Sequence, residues 1–379
     1  VFLKKRIYFY TSMTLLSAKT RYYFQRILPF GIIWLVLAWM FLSTEYAALG
    51  DFAHGPKTAI KVTPLILLFA CSAVFVIGCI VGVLEVFFVN RLFEKRSLPQ
   101  KIIGKFCIYA VLLSILILVS YLIAASIEMD TSIFDKKVWK RYTEFFFSIT
   151  YVSTLLQVGF SLLLSLLYAE ISDNLGSQVL LNFFTGKYHK PTRESRIFMF
   201  VDMKDSTTIA EAVGSTTYFK LLQSYYYDFS NAIINNYGEV YQYVGDEIVI
   251  TWKVKKGLNQ NYCVRCFFDM EKALQNKSKF YLRKFGVVPQ FKAGMHCGEV
   301  TTGEIGALKK DIFFTGDVLN TTARILGLCS TYQKNLLLSK ELVKQLSLGS
   351  EYVAEDLGSP QLKGKVNSIN VMSVEQVSQ

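Results

Sequence analysis

The stretch FMFVDMKDSTT, residues 198–208, runs an apolar segment straight into Asp202 and then crowds Asp205 and three hydroxyl residues behind it. A strand that ends beside a helix start turns backbone N–H groups outward, here those of Lys204, Asp205, Ser206 and Thr207, and such a turn binds phosphate oxygens. An aspartate there repels phosphate unless a cation lies between them, so the stretch suits a Mg2+–triphosphate site. Simple helix capping by Asp205 and Ser206 accounts for the same residues. A second stretch, EVYQYVGDEIVI (residues 239–250), reads as strand, Gly-Asp turn and strand, with Asp246 at the tip. Turn chemistry alone explains an aspartate there. Two neighbouring strand ends that each present an aspartate can instead hold two divalent cations about 3.5–4 Å apart. In a third stretch, TGDVLNTTARIL (residues 315–326), Asn320 and Arg324 are four apart and share a helix face. They read either as a surface pair or as an arginine poised to stabilise charge on a pentavalent phosphorus.

These stretches need a scaffold, and the pattern around them supplies one. Strands are expected at 196–201, 240–244, 248–252, 291–295, 299–303, 336–338, 352–355 and 369–374. Helices are expected at 208–237, 261–283, 318–328 and 340–346. Thr208 and Glu211 have capping-box spacing, and His296-Cys297-Gly298 reads as a turn holding a packed structural histidine. Tight turns between several strands favour a mixed α+β sheet over a doubly wound parallel one. Cys263 and Cys266 form a lone C-x-x-C without a second pair or nearby histidine, so they read as small core residues.

The first half of the chain has another character. Of the 379 residues, 52% are hydrophobic, and the apolar residues concentrate in four runs. Ile27–Ser43 and Phe145–Ala169 carry no charge, Pro64–Asn90 carries only Glu85, and Ile102–Ser126 carries only Lys105. Each reaches or approaches the roughly 20 residues that cross a bilayer. The expectation is a four-span membrane domain over 1–168, with spans at about 27–47, 64–89, 102–126 and 145–168. A juxtamembrane coupling helix and linker follow over 169–192, broken by Gly186 and Pro191, and a soluble domain occupies 193–379. Ile171, Leu175 and Val179 repeat every four residues, as in a helix that pairs with its own copy or one that simply lies against the membrane.

Lys and Arg cluster before the first span and after the second, which places both termini in the cytoplasm. Lys136, Lys137, Lys140 and Arg141 after the third span run against that rule. The first run reads as an uncut anchor rather than a signal peptide, and Glu85 reads as lying near the cytoplasmic end, within reach of water. Formal net charge is +12, but from Arg193 onward the charges nearly balance. Nothing there suggests a nucleic-acid groove.

FVDMKDST, YQYVGDEIVI, AGMHCGEVTTGEIG and TGDVLNTTARIL occur in this order. Together they resemble the catalytic domain of class III nucleotidyl cyclases, the adenylate/guanylate cyclase family, over about residues 193–375. The four-span front end followed by FFTGKYHKP is similar to the membrane-bound bacterial members. The resemblance implies a ferredoxin-like α+β catalytic domain that works as a homodimer, with active sites between the two chains. It assigns Asp202 and Asp246 to two Mg2+ or Mn2+ ions and the Met203 carbonyl to a metal contact. Asn320 would orient the ribose and Arg324 would stabilise the transition state, both from the partner chain. In LKGK, Lys363 matches the lysine that grips the terminal phosphates, with Lys365 as the alternative.

The implied reaction is attack of the ribose 3′-hydroxyl on the α-phosphorus of the same nucleotide, with loss of pyrophosphate. The sequence departs from the family at the purine pocket. Gln242 stands where adenylate cyclases have lysine, and Phe313 where they have aspartate or threonine; Phe314 is one residue away. Gln242 can donate or accept, so it reads either purine edge. ATP is favoured over GTP because the overall form resembles bacterial adenylate cyclases. The expected enzyme is a multi-pass adenylate cyclase of a bacterial inner membrane, regulated through its membrane domain. The alternatives are a guanylate cyclase, a non-catalytic nucleotide-binding receptor, or a transporter with a regulatory tail.

Overall fold

The computed structural model of the chain describes residues 17–49, 60, 63–93, 96–176, 179–180, 182, 185–308, 310–360 and 368–377. Two compact units divide it. Residues 21–181 form one, and residues 182–379 belong to the other.

The first unit is helical. Its long helices are α1 (Ala18–Leu49), α2 (Pro64–Leu84), α3 (Leu98–Met129) and α5 (Ile149–Leu175), with the short α4 (Lys136–Phe146) between the last two. Four helical segments, 18–47, 64–92, 98–129 and 149–175, are long and apolar enough to cross a membrane. α1 starts nine residues before the expected 27, because nothing in Ala18–Arg26 breaks a helix. α5 starts at Ile149 rather than 145, because Phe145 belongs to α4. Ser148 caps α5 by accepting from the Tyr151 amide at 3.4 Å.

α4 is amphipathic. It buries Val138 and Phe145, with Phe145 stacked 4.0 Å from Tyr121 of α3. The basic residues that opposed the charge rule therefore lie on an ordered helix, and Arg141 pairs with Glu128 at 2.9 Å. α5 stops at Gly176, whose φ is +87°, so Val179 lies beyond it and no single helix carries the Ile171–Leu175–Val179 repeat. Glu85 departs from expectation too. It is 2% exposed and paired with Lys105 inside the helical unit rather than reaching water.

The second unit is built on one mixed sheet. β1 is Thr192–Met203, followed by α6 (Ser206–Val213) and α7 (Ser215–Asn235). β2 (Glu239–Val244) and β3 (Glu247–Lys253) form a hairpin. A short α8 (Val254–Leu258) leads to α9 (Tyr262–Asn276) and α10 (Ser278–Phe285), then β4 (Phe291–Ile305). β5 (Asp311–Thr315), α11 (Asp317–Tyr332), β6 (Leu336–Ser339), α12 (Lys340–Val343), β7 (Tyr352–Asp356) and β8 (Val371–Gln376) complete it. The strand order is β2-β3-β1-β4-β6-β8-β7, with β5 paired to β4. The β1-helix-β2-β3-helix-β4 portion and its order β2-β3-β1-β4 are the ferredoxin-like arrangement.

Side chains of β1 alternate across the sheet. Ile197, Met199, Val201 and Met203 pack under α7, α9 and α10, while Phe198 and Phe200 pack against α11 on the other face. The expected helix 208–237 is two helices, because Gly214 at φ +79° breaks it. The expected 261–283 helix breaks at Lys277. β4 is one continuous strand through His296-Cys297-Gly298, not two strands around a turn. Cys263 and Cys266 are fully buried core residues without a disulfide, and burial pushes the Cys263 thiol up to about 12.

Candidate active site

β1 pairs antiparallel with both β3 and β4, in the registers Val201↔Ile248 and Asp202↔Lys292. The end of β1 and the tip of the β2–β3 hairpin therefore meet at one end of the sheet, and Asp202 and Asp246 come together there. Burial, and then the Asp246 carboxylate, push the Asp202 carboxyl above its ordinary range. Lys292 opposes that shift, with its Nζ 3.3 Å from Asp202 Oδ2. Glu247 is likewise raised by burial and then by both aspartates. Two carboxylates pressed together with one ammonium beside them fit a divalent cation.

Among the described residues no cluster of three or more His, Cys, Asp or Glu is found. A carboxylate pair leaves positions open for substrate phosphates, the usual way Mg2+ is held. Met203 is 2% exposed, with its side chain in the core.

The loop after β1 is more specialised than its sequence suggested. The Lys204 amide donates to the Gln290 carbonyl at 2.9 Å, so it is not available to phosphate. The Lys204 ammonium donates to Asn335 Oδ1 at 2.5 Å. Asp205 takes a left-handed conformation, φ +53°, and its side chain does not cap α6. The capping explanation therefore fails for Asp205. Asp205 and Thr207 are exposed. The first amides of α6 remain as unpaired donors of a helix start.

Two residues missed by sequence reasoning shape the pair. Lys292 is invisible until β4 is paired with β1. Tyr226, on α7, donates its hydroxyl to the Gly245 carbonyl at 2.9 Å and so fixes the turn that carries Asp246. Tyr226 lies next to buried Tyr225 on a helix rich in aromatics, so its sequence gave no signal beyond a helix face.

Gln242 and Phe313 are both exposed, on β2 and β5. Phe314 packs at 4.9 Å against Tyr241 and at 5.5 Å against Phe198, so Phe313 is the one of the two free to meet a base. Tyr241 and Phe314 join the segments that carry Gln242 and Phe313. α11 buries Val318, Thr321, Thr322, Ile325 and Leu326, which leaves Asn320 exposed and Arg324 half-buried. No hydrogen bond or ion pair joins either to Asp202 or Asp246 among the described residues, and Arg324 has no ionic partner there. Lys363 and Lys365 lie outside the described residues. His296 is buried and hydrogen-bonds Ser339 Oγ at 2.8 Å, as a structural histidine does.

Residues 188–375 match the family model described as the adenylate and guanylate cyclase catalytic domain. Adenylate cyclase 2 of Rhizobium meliloti (strain 1021) is 34% identical over 205 residues, covering 54% of this chain and 56% of that protein. The adenylate cyclase of Anabaena cylindrica is 26% identical over 184 residues, covering 47% of this chain and 36% of that protein. The chain thus spans about half the length, or less, of the curated relatives it matches. A solved structure of a bacterial light-regulated adenylyl cyclase shares the fold, with a TM-score of 0.50 at 20% identity over 60% of this chain and 64% of that one.

Proposed function

Residues 188–375 belong to the adenylate and guanylate cyclase catalytic domain family, and on that premise we propose that the protein converts ATP to 3′,5′-cyclic AMP and pyrophosphate. The observation that carries the proposal is the Asp202–Asp246 pair at the shared end of β1 and the β2–β3 hairpin. These carboxylates hold two divalent cations, Mg2+ or Mn2+. When bound, the ions supply a lowered pKa for the ribose 3′-hydroxyl and neutralise phosphate charge.

The 3′-oxygen, its proton passed to solvent water, bonds to the α-phosphorus as the bond to the bridging oxygen breaks and pyrophosphate leaves. Arg324 donates to the charge that develops on phosphorus, and Asn320 holds the ribose. Lys292, already beside the acid pair, turns to the phosphates, with Lys363 as a second cation for the terminal ones. The amides of Asp205, Ser206 and Thr207, at the start of α6, add donors. Gln242 and Phe313 face the purine. ATP is favoured by the relatives named adenylate cyclases.

Within one chain Arg324 and Asn320 are not joined to the aspartates, which supports a site shared by two copies. The helical unit spans the inner membrane of a bacterium four times, with both termini cytoplasmic, and regulates the catalytic unit. Coexpression tests the shared site. Asp246→Ala and Arg324→Ala are each expected to lose about 100-fold or more in product rate. A mixture of the two regains activity, because one site in each mixed dimer keeps both residues. No recovery, with mixed dimers present, would contradict the shared site.

A further inference from the structure

The helical unit contains buried charges that this chemistry does not use. Glu85 and Lys105 are each 2% exposed, and Tyr109 is fully buried. Lys105 Nζ donates to Glu85 Oε1 at 2.5 Å and to Asn90 Oδ1 at 2.9 Å. The Tyr109 hydroxyl donates to Glu85 Oε2 at 3.0 Å. Asn90 extends the chain of contacts, since its Nδ2 donates to Asp173 Oδ2 at 2.8 Å. Arg26 pairs with the other oxygen of Asp173. Lys101 and Glu170 add a parallel link at 2.7 Å between α3 and α5. One connected network thus takes Arg26 from α1, Glu85 and Asn90 from the α2 segment, Lys105 and Tyr109 from α3, and Asp173 from α5.

Burying such ions among apolar helices costs more than filling the space with leucines, so an inert anchor has no need of them. The backbone is also adapted to them. Residues 85–89 form a π turn, in which the Asn90 amide bonds to the Glu85 carbonyl. In an α-helix, residues five apart point about 140° away from each other. The π turn brings Glu85 and Asn90 round to nearly the same side, where both reach Lys105. Single π turns inside α-helices are frequent at functional sites.

The network ends where it has leverage. Asp173 lies in the last turn of α5, which stops at Gly176, and the chain then continues into the catalytic unit. Its inner part, Glu85, Lys105 and Tyr109, is buried, and a buried polar network is either fully made or costly, so it favours two discrete states over gradual sliding. Asn90, Arg26 and Asp173 carry the contacts outward to more exposed positions. We propose that the Glu85–Lys105–Asn90–Asp173–Arg26 network is a latch that holds α5 in one register against α1, α2 and α3, and that its opening changes catalytic output. The output half of this proposal rests on the cyclase reading; the latch itself does not.

The test uses the full chain in membrane vesicles, with Cys71, Cys79 and Cys107 replaced by alanine. Phe30→Cys with Tyr168→Cys reports the register, since the two rings are 6.1 Å apart. Lys105→Met is expected to cut oxidative cross-linking and to change the product rate, each by about threefold or more. The charge-swapped Glu85→Lys/Lys105→Glu chain should move both back toward the parent. Should Lys105→Met fail to insert, the half-exposed Asp173→Asn variant is expected to show the same two changes. Unchanged cross-linking in inserted variants overturns the latch, and so does changed output without changed cross-linking. A parent chain that makes no cyclic nucleotide contradicts the cyclase reading instead, and cross-linking then decides the latch alone.

Discussion

Asp246 sits at a hairpin tip, where an aspartate is commonplace, and Tyr226 gives that tip a fixed place. The phenol bonds the Gly245 carbonyl, and the ring lies 4.6 Å from Tyr243. Removing the hydroxyl with Tyr226→Phe forfeits a bond worth about 1 kcal/mol and loosens one carboxylate relative to the other. The expected result is a higher Mn2+ concentration for half-maximal binding, measured by direct titration, with the fold intact. Unchanged Mn2+ affinity would mean the turn holds itself. The two aspartates were legible from sequence because acids at the ends of apolar strands stand out. Lys292 was not, because a lysine in a strand has no meaning until the register sets it across from Asp202.

At the scale of elements, glycines misled in one place and informed in another. Gly298 read as a turn, yet β4 passes straight through it. A side chain there would meet Val318 Cγ2 at 2.6 Å, so the residue is small to let α11 approach, not to bend the strand. Gly294 serves the same contact more tightly, since an added Cβ would lie 2.4 Å from the Leu326 amide nitrogen. Backbone cannot yield as a side chain can. Gly294→Ala is therefore expected to cost about 1–3 kcal/mol, read from chemical denaturation, and to lower the product rate by moving Asn320 and Arg324. Parent-like stability would show that α11 can slide without penalty. Gly214, by contrast, does break its helix, at φ +79°. β5 went unread because five residues between two glycine-bearing turns carry no periodicity; only its pairing with the extended end of β4 makes it a strand.

Across the whole molecule, the division into an apolar helical half and an α+β half was legible from charge-free runs and alternation. The charged ties within each half were not, because they join residues far apart in sequence. One such tie secures the entry to the catalytic unit. Lys187 and Arg196 both pair with Glu194 at 2.9 Å, and Arg196 also pairs with Glu239 at 2.9 Å. Burial raises the Glu194 carboxyl, but hydrogen bonds and charge from Lys187 and Arg196 outweigh it and hold it at about 2. A depressed carboxylate stabilises the fold above its ordinary value of 4.5 and loses that contribution as pH falls toward about 2. Thermal scans are expected to show stability falling over that window, and Glu194→Gln to flatten the fall. An identical pH profile in the variant would place the acid sensitivity elsewhere.

The central claim is that the acid pair, Asn320 and Arg324 make one cyclising site. The most direct measurement gives the full-length protein in vesicles Mn2+ with ATP or GTP separately and identifies the products by mass spectrometry, with Asp246→Ala alongside. The account predicts cyclic AMP and pyrophosphate from ATP, and none from the variant. Cyclic GMP alone would keep the site and reverse the reading of Gln242 and Phe313. Nucleotide bound but no cyclic product from either triphosphate would contradict the account.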